Sequence, residues 1–342
     1  MLERIRPITA LVEEMLDQLP KAVFTSKTTT FLDPCMGGGQ FVAAIERRLR
    51  KHGHSDTNIA KRVYGVENNE FLHDYAVNTH DLVGNYRVEK NYLECEETMK
   101  FDVVIGNPPY QRSDSKAKRW TLWEEFLNKS FELSDTVLMI VPQSLTSPGS
   151  SWDAIKDNTH VINIDIKDHF MNVGSYFCYF VYDKTRPVKK TKLISSDGIF
   201  QKNIKQLPCL PVQINDHTLR LLDALMKRIP RNWKRGELHT SNKSKFSDKG
   251  KYAVIHTNAQ TLATNIEHEN KDKARVVVTL SGYPKFIAIK GKYCSQACVW
   301  TEFKTLKEAK AFAKECNEDT IQEIVTTFKW SGWNSKDIIS MI

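Results

Sequence analysis

Short apolar runs alternate with helix-length segments from residue 30 onward, and this alternation restricts the fold more than any other feature of the chain. Buried parallel strands are near-continuous apolar runs, and the crossovers between them are usually helices. We therefore predict a parallel sheet covered by helices. Helices are predicted over residues 40–51, 69–80 and 122–133, and strands over residues 30–32, 62–66, 101–105, 136–141, 161–166 and 175–182.

The regular alternation fades after Asp183, where prolines at 187, 208, 211 and 230 interrupt the chain. We expect the sheet to end with the aromatic strand 175–182 and place a domain boundary near residue 190. Residues 1–190 then form one domain, and residues 191–342 form a second, smaller one with helices over 305–316 and 319–328. A chain of 342 residues that is 41% apolar and 26% charged is long enough for two ordinary domains.

Charge divides the chain into two unlike parts. Residues 1–180 contain 20 Lys and Arg against 25 Asp and Glu, whereas residues 181–342 contain 29 against 16. This asymmetry indicates that one part meets a polyanion, because clustered positive charge binds nucleic acid by releasing counterions. A solvated lysine-rich surface would give the same balance, so charge alone leaves both interpretations open.

The turn after the first predicted strand contains Gly37, Gly38 and Gly39. Glycines between a strand and a helix let the main chain approach a ligand, and the following helix presents free N–H groups to it. Glu67 stands at the end of the next strand, where an acidic side chain can accept both ribose hydroxyls of a nucleoside cofactor. Together the two features favour a nucleoside site, although each alone also fits a structural turn or a surface glutamate.

The tetrapeptide Asn107-Pro108-Pro109-Tyr110 closes the apolar run 101–105 and is the strongest functional signal in the chain. Its two prolines stiffen the main chain and remove two N–H donors, so that carbonyl groups and the Asn107 side chain present acceptors. Acceptors that hold both hydrogens of a planar amino group draw its nitrogen toward tetrahedral geometry and make it nucleophilic. Tyr110 adds a face on which a flat substrate can stack.

These motifs resemble those of S-adenosylmethionine-dependent amino-methyltransferases. Residues 33–41, Asp-Pro-Cys-Met-Gly-Gly-Gly-Gln-Phe, are similar to the cofactor motif of that class, and residues 107–110 to its catalytic motif. Their order resembles the gamma class of DNA adenine-N6 methyltransferases of restriction-modification systems and phages. The resemblance covers residues 5–185 and implies an α/β fold: a Rossmann-like methyltransferase sheet, mostly parallel with a late antiparallel hairpin, plus a smaller carboxyl-terminal α+β DNA-recognition domain.

The resemblance also implies roles for individual residues. The methionine end of S-adenosylmethionine would contact the glycine motif and an element before it, and the adenine end would contact residues near Asn91, where the class commonly has aspartate. The implied cofactor-binding residues are Pro7, Thr9, Asp33, Pro34, Cys35, Gly37, Gly39, Phe41, Glu67, Asn68, Asn91, Tyr92 and Asn107. Asn107, Pro108, Pro109 and Tyr110 would hold and stack the target adenine, with Phe170, or less readily Phe177, over its other face.

No metal is expected, because the sulfonium methyl is already activated and Cys294 and Cys298 lack the second pair typical of a zinc site. Double-stranded DNA is the expected partner, with the target base flipped out. The residues implied in phosphate contact are Lys116, Lys118, Arg119, Arg231, Lys234, Arg235, Lys243 and Lys245. The chain is expected to act as a monomer, and any cognate restriction endonuclease is expected to be a separate chain.

Two other functions stay open at the level of sequence. The catalytic tetrapeptide also occurs in enzymes of the same fold that methylate a glutamine amide in release factors or an exocyclic amine in ribosomal RNA, although those enzymes have little chain after it. A non-catalytic DNA-binding module on the same fold is the third reading. The chain lacks a signal-peptide pattern and an apolar run of transmembrane length, so we expect no membrane partner and a cytoplasmic, nucleoid-associated location in a bacterial or phage-infected cell.

Overall fold

A computed structural model describes residues 8–96, 99–111, 122–170, 174–239, 249–257, 261–330 and 334–342. The chain divides into two compact units. Unit 1 runs to Leu145 and resumes over Gly149–Gln206, and unit 2 consists of Thr146–Pro148 and Leu207–Ile342. None of the helices in these described ranges is long and apolar enough to cross a membrane.

Unit 1 combines helices with one long sheet. Its helices are α1 (Ile8–Asp17), α2 (Ala22–Thr25), α3 (Gln40–Lys51), α4 (Asp56–Ile59), α5 (Glu70–His80), α6 (Leu122–Leu133) and α7 (Ser150–Ile155). Its strands are β1 (Phe31–Asp33), β2 (Val63–Glu67), β3 (Asn85–Val88), β4 (Val103–Gly106), β5 (Thr136–Pro142), β6 (Thr159–Asn163), β7 (Phe177–Asp183), β8 (Thr191–Ser195) and β9 (Gly198–Lys202).

The nine strands of the described part of unit 1 lie in the order β3-β2-β1-β4-β5-β7-β6-β8-β9. The first five run parallel to one another, and the chain order reverses at β1, where β2 lies on one side and β4 on the other. Strand β7 inserts antiparallel between β5 and β6. The predicted α/β class with a mostly parallel sheet and a late antiparallel hairpin is therefore confirmed.

Two details of the prediction are wrong. The sheet does not end at Tyr182, because β8 pairs parallel with β6 and β9 pairs antiparallel with β8. The boundary consequently falls after Gln206 and not near residue 190. Strand β3 was also not predicted: its side chains are mostly exposed at the sheet edge, so it lacks the apolar run that marks β1, β4 and β5.

Helices α1 and α3 are fixed to the sheet of unit 1 by apolar packing, and α1 also by a half-buried carboxylate. Leu11, Val12, Met15 and Leu16 of α1 belong to the same buried cluster as the inner face of α3. Glu14 of α1 accepts hydrogen bonds of 2.7 Å from the hydroxyl of Tyr179 and of 2.7 Å from the amide of Asn163. These bonds compensate the desolvation of the carboxylate, so α1 can lie on the middle of the sheet.

Unit 2 is a smaller α+β unit, as predicted. Its helices are α8 (Asp216–Met226), α9 (Leu306–Cys316), α10 (Asp319–Thr327) and α11 (Lys336–Ser340), and its strands are β10 (Lys234–Arg235), β11 (Tyr252–Ile255), β12 (Thr261–Thr264), β13 (Ala274–Thr279), β14 (Phe286–Ile289), β15 (Tyr293–Cys294) and β16 (Cys298–Phe303). Within the described ranges they form an antiparallel sheet, β10-β16-β13-β14, and a mixed sheet, β12-β11-β15.

A buried ion pair lies inside unit 2. Arg275 of β13 is fully buried and its guanidinium donates to Glu237 at 2.8 Å. The same guanidinium lies 4.9 Å from the ring centre of Trp300 on β16. Removing one partner of such a pair leaves an uncompensated buried charge, so this pair ties the segment before β11 to the antiparallel sheet.

Candidate active site

A cavity of about 810 Å³ opens at the carboxyl ends of β1, β2 and β4, beside the point where the strand order reverses. Open α/β sheets bind ligands at this position. The cavity brings together eight of the residues predicted from the sequence, namely Pro34, Cys35, Glu67, Asn68, Asn91, Tyr92, Asn107 and Pro109. A second cavity of about 600 Å³, between α1, α2 and α3, contains none of the motif residues.

Glu67 connects two of the turns that border the cavity. Its carboxylate accepts a 2.7 Å hydrogen bond from the N–H of Gly37 in the glycine turn. The other oxygen accepts the N–H groups of Asn68 at 3.0 Å and Asn69 at 3.1 Å. These three hydrogen bonds hold both turns in place. Because a carboxylate offers about four acceptor positions, Glu67 can still accept a hydrogen bond from a hydroxyl group in the cavity.

The glycine turn adopts a main-chain conformation that other residues rarely take. Gly37 and Gly39 have φ angles of +51° and +80°. A Cβ atom on Gly39 would lie 2.9 Å from the Cβ of Ala76, so only glycine allows α5 to pack against the start of α3. Helix α3 begins directly after Gly39, which leaves the first N–H groups of the helix at the turn.

Asp33 ends β1 directly before the cavity residues Pro34 and Cys35; it does not itself line the cavity and is almost completely buried. One carboxylate oxygen accepts the N–H of Cys35 at 3.1 Å, and the other, Oδ2, has no hydrogen-bond partner among the described residues. Burial raises the pKa of Asp33 from 3.8 to about 7, and the nearby charge of Glu67 contributes to the rise. A buried carboxylate oxygen without a hydrogen bond destabilises the folded protein, and a cationic or N–H ligand would compensate for this loss.

Asn107 and Tyr110 contact each other at the mouth of the cavity. The Tyr110 hydroxyl donates a 2.6 Å hydrogen bond to Oδ1 of Asn107. Burial raises the pKa of Tyr110 above its usual range, so its hydroxyl stays a neutral donor. Pro109 is exposed and lines the cavity, whereas Pro108 is buried behind it. Oδ1 of Asn107, the acceptor predicted to bind an amino group, therefore already accepts a hydrogen bond from Tyr110 of the same motif.

Three aromatic rings form a continuous stack behind this corner. Tyr110 stacks on Phe177 with 4.7 Å between ring centres and 26° between planes, and Phe177 lies 4.8 Å from Phe170. Phe177 is buried in β7, whereas Phe170 is half-buried just after a short helical turn. The ring adjacent to Tyr110 is therefore Phe177, the weaker of the two sequence candidates, and the assignment of Phe170 to the target base stays a prediction.

The far end of the cavity is formed by the turn Tyr92–Glu94 and by α6. Asn91 and Leu93 line it, together with Leu122 and Phe126 of the helix. Tyr92 is buried and stacks on Phe126 with 5.7 Å between ring centres. Asn91 is exposed, so its side chain is accessible at this end.

Several predicted residues lie away from the cavity or outside the described ranges. Phe41 is buried in the apolar cluster beneath α3, and Thr9 lies on the exposed face of α1, so neither lines the cavity. Their predicted cofactor contacts have no support in this arrangement. The residues outside the described ranges are Pro7, Lys116, Lys118, Arg119, Lys243 and Lys245.

The structure adds cavity residues that sequence reasoning missed, namely Val66, Glu89, Lys90, Leu93, Gln111, Leu122 and Phe126. Glu89 and Lys90 follow β3, the strand that the apolar pattern failed to show. Leu122 and Phe126 are four residues apart on α6, a spacing that ordinary core packing also produces. Only the position of Glu89 at a strand end could have signalled it, and that signal depended on finding β3.

The basic residues of unit 2 occupy a different environment. Arg231, Lys234 and Arg235 are exposed, and the last two form β10 at the edge of the antiparallel sheet. Lys234 lies 5.2 Å above the ring of Trp300, and Arg231 lies 4.5 Å above that of Phe312. Trp233 is buried between these cations, so it belongs to the core of unit 2 and offers no surface for stacking.

The cysteines of the two units do not indicate thiol catalysis. All seven cysteines are free thiols, and burial raises the pKa of Cys35 and Cys294 well above the usual range. Thiols of this kind are poor nucleophiles. Over the described residues, no group of three or more His, Cys, Asp or Glu side chains is arranged to hold a metal ion.

Comparison with known sequences identifies the kind of unit that carries this site. Residues 17–171 match the sequence model of the Eco57I restriction-modification methylase family, over just under half of the chain. The resemblance seen in the motifs is confirmed. This segment contains β1 to β6, the glycine turn, Glu67 and Asn107 to Tyr110, and unit 1 therefore has a Rossmann-like methyltransferase fold.

A curated relative and two solved structures illustrate the similarity. A Mycoplasma pneumoniae protein described as an uncharacterized adenine-specific methylase is 29% identical over 139 residues, which cover 36% of this chain and 32% of the relative. The chain thus spans about a third of the length of that relative. A DrdV–DNA complex is similar with a TM-score of 0.50 at 10% identity, covering 92% of this chain and 52% of that one. A methyltransferase subunit of a type I restriction-modification system from Streptococcus thermophilus has a TM-score of 0.42 at 15% identity, over 65% and 53% of the two chains.

Proposed function

We propose that this chain is a DNA methyltransferase that transfers a methyl group from S-adenosylmethionine to the N6 amino group of a flipped-out adenine in duplex DNA. The observation that carries the proposal is the single cavity lined by both Glu67, at a strand end suited to a nucleoside, and Asn107, in an acceptor-rich proline corner. The match of residues 17–171 to restriction-modification methylases and the similarity to an adenine-specific methylase support it.

The residues around the cavity fit S-adenosylmethionine. A volume of about 810 Å³ lies within the range of small-molecule sites. Glu67 has acceptor capacity for a ribose hydroxyl, and Oδ2 of Asp33 is an unpartnered acceptor suited to the ammonium group of the methionine end. Asn91 would contact the adenine. When bound, the cofactor supplies an electrophilic methyl group on a positively charged sulfur.

Asn107 would prepare the target nitrogen for attack. Its Oδ1 and the carbonyl of Pro108 would accept the two amino hydrogens of adenine and stabilise the positive charge that grows on that nitrogen. The Tyr110 hydroxyl already donates to the same Oδ1, whose second lone pair would accept the amino hydrogen of the base. The ring of Tyr110 would then stack on the base. Alignment and electrostatics account for these steps without a covalent enzyme intermediate.

Duplex DNA is the proposed substrate because the exposed cations of unit 2 suit a phosphate backbone. Arg231, Lys234 and Arg235 would position the duplex, which helps to offset the cost of flipping a base, about a few kcal/mol. We further propose that the chain acts as a monomer and that any cognate endonuclease is a separate protein. Size measurement in solution would test the first point.

The decisive experiment uses tritiated S-adenosylmethionine and four acceptors: duplex DNA, single-stranded DNA, total RNA and total protein. We expect label in duplex DNA, and nucleoside mass spectrometry should identify N6-methyladenine. Label confined to RNA or protein would favour the alternative substrates, an exocyclic amine of RNA or a glutamine amide. Methylated cytosine as the sole product would contradict the choice of base, and no transfer to any acceptor would leave only a binding module.

A further inference from the structure

The adenine end of the cavity rests on α6. The turn Tyr92–Glu94, which with Asn91 forms this end, contacts two side chains of the helix through the Tyr92 ring. Phe126 stacks on the ring at 5.7 Å, and the ammonium of Lys129 lies 4.3 Å from its centre. These two residues are three positions apart on α6 and therefore share one face of the helix.

Lys129 also binds the main chain of the turn. Its half-buried ammonium donates to the carbonyl of Tyr92 and, at 2.7 Å, to the carbonyl of Cys95. One cation thus bridges the first residue of the turn and the residue that follows it. Hydrogen bonds from a charged donor are stronger than neutral ones, and a cation over an aromatic face adds further attraction.

Apolar packing alone would not fix this wall. The turn is one short segment of irregular main chain, and Asn91 makes no side-chain cap to it. The strand before it, β3, is an exposed edge strand. Besides the two hydrogen bonds from Lys129, the described contacts at the turn include the stack of Tyr92 on Phe126 and the contacts of the Cys95 thiol with Glu89 and Arg87. Lys129 is a charged group that links the main chain of the turn to α6.

We infer that Lys129 is a positioning residue for the cofactor: it holds the turn Tyr92–Glu94 so that Asn91 and Leu93 form a fixed binding surface for the adenine ring. This inference rests on the proposed function, since it takes S-adenosylmethionine as the ligand. Lys129 does not line the cavity and touches no reacting atom. Its removal should weaken binding of the adenosine part of the ligand and spare the chemical step.

The test compares Lys129→Met with Lys100→Met. Lys100 is a matched control, because its exposed side chain also donates to a main-chain carbonyl of α6, that of Glu132 in the last turn of the helix. Calorimetry would measure the Kd of S-adenosylmethionine, S-adenosylhomocysteine and 5′-methylthioadenosine for each variant. For Lys129→Met we expect all three Kd values to rise together by about five- to twentyfold, in line with the loss of charged hydrogen bonds.

Two further readouts separate positioning from general destabilisation. The KM for S-adenosylmethionine should rise with Kd while kcat at saturation stays within about twofold. Lys129→Arg, which keeps the charge and the donors, should restore most of the affinity. If the methionine variant does not fold, Lys129→Gln replaces it, with the same expected rise in all three Kd values. Thermal unfolding of Lys100→Met gives the stability baseline.

Equal Kd values for Lys129→Met and Lys100→Met would overturn the inference while wild-type binding keeps the proposed function intact. A loss seen with S-adenosylmethionine but absent with 5′-methylthioadenosine would also overturn it, because the methionine end would then be affected. Failure of the wild-type protein itself to bind any of the three ligands would reject the proposed function and this inference together.

Discussion

The two units hold their candidate functional side chains in different kinds of structure. In unit 1 these residues stand on turns at the ends of parallel strands and are fixed by specific bonds, such as those from Gly37 to Glu67 and from Tyr110 to Asn107. In unit 2 the exposed cations Lys234 and Arg235 lie on a two-residue edge strand. The hydrogen bonds in unit 1 hold individual side-chain atoms in position, whereas the edge strand in unit 2 presents positive charge without such bonds being needed. Changes in the two units should therefore affect methyl transfer and DNA affinity separately.

Asn107→Ala should give the largest effect. It removes the acceptor that we propose stabilises charge on the target nitrogen, so the rate of methyl transfer should fall about a thousandfold. The Kd of S-adenosylmethionine, measured by calorimetry, should stay within a few fold, and DNA affinity should stay unchanged because the cations of unit 2 are intact. Full activity in this variant would refute the role of the proline corner, and loss of DNA affinity would contradict the separation of the two units.

The double variant Lys234→Gln, Arg235→Gln should change DNA affinity and leave the S-adenosylmethionine site as it is. If both cations contact phosphate, DNA affinity at low salt should fall about ten- to a hundredfold, and the slope of log K against log salt should decrease by about two. Binding of S-adenosylmethionine should not change. The control is Lys189→Gln, Lys190→Gln, a pair of exposed lysines in unit 1. An equal loss in the control pair would mean that net charge matters and that β10 has no special place.

The same contrast explains how much could be predicted from the sequence. Helix α3 begins and ends at the predicted residues, and α6 does so too. Strands β1, β2, β4, β5 and β7 lie within two residues of their predicted ranges. Buried parallel strands leave an apolar run and glycine turns leave a composition signal, so both the sheet and its strand-end residues are readable. Glu67 and Asn107 were found for this reason.

What the sequence did not show depends on tertiary context. Strand β3 pairs with β2 at an exposed edge, so its residues alternate without an apolar run, and Glu89 behind it was missed. Strands β8 and β9 extend the sheet beyond the predicted end for a similar reason, since much of β9 is exposed. The contact of Tyr110 with Asn107 and the bridge from Lys129 to Tyr92 involve side-chain conformations that no residue pattern records.

A pH dependence should sharpen the description of unit 1. The pKa of Asp33 is raised to about 7 by burial. The ionised form attracts an ammonium group, so the affinity for S-adenosylmethionine should rise about eightfold between pH 6 and pH 7.5 as the carboxylate forms. Calorimetry across this range would measure it, with Asp33→Asn as the variant expected to bind weakly and without this pH dependence.

In the ligand-free protein, the free energy of unfolding should fall over the pH range in which the affinity for S-adenosylmethionine rises. Because the folded-state pKa of about 7 lies above the ordinary value of 3.8, the folded state binds more protons than the unfolded chain between these values. The contribution of Asp33 to the free energy of unfolding is therefore complete below about pH 4 and is lost as the pH rises through 7. Asp33→Asn should lack this loss in denaturant titrations. Identical pH profiles for the two proteins would show that Asp33 does not titrate in this range.

Phe170 lies in unit 1, but its proposed contact is with the target base of the DNA. If its ring covers the flipped adenine, Phe170→Ala should raise the KM for DNA about tenfold through lost stacking, with little change in unfolding temperature because the side chain is half-buried. Phe177→Ala should instead cost about 3–5 kcal/mol of stability, since Phe177 is buried in β7. Phe71→Ala, at an exposed phenylalanine of α5, controls for loss of a surface ring. An unchanged KM in Phe170→Ala would refute the assignment of Phe170 to the flipped base and leave Phe177, which stacks on Tyr110, as the remaining candidate.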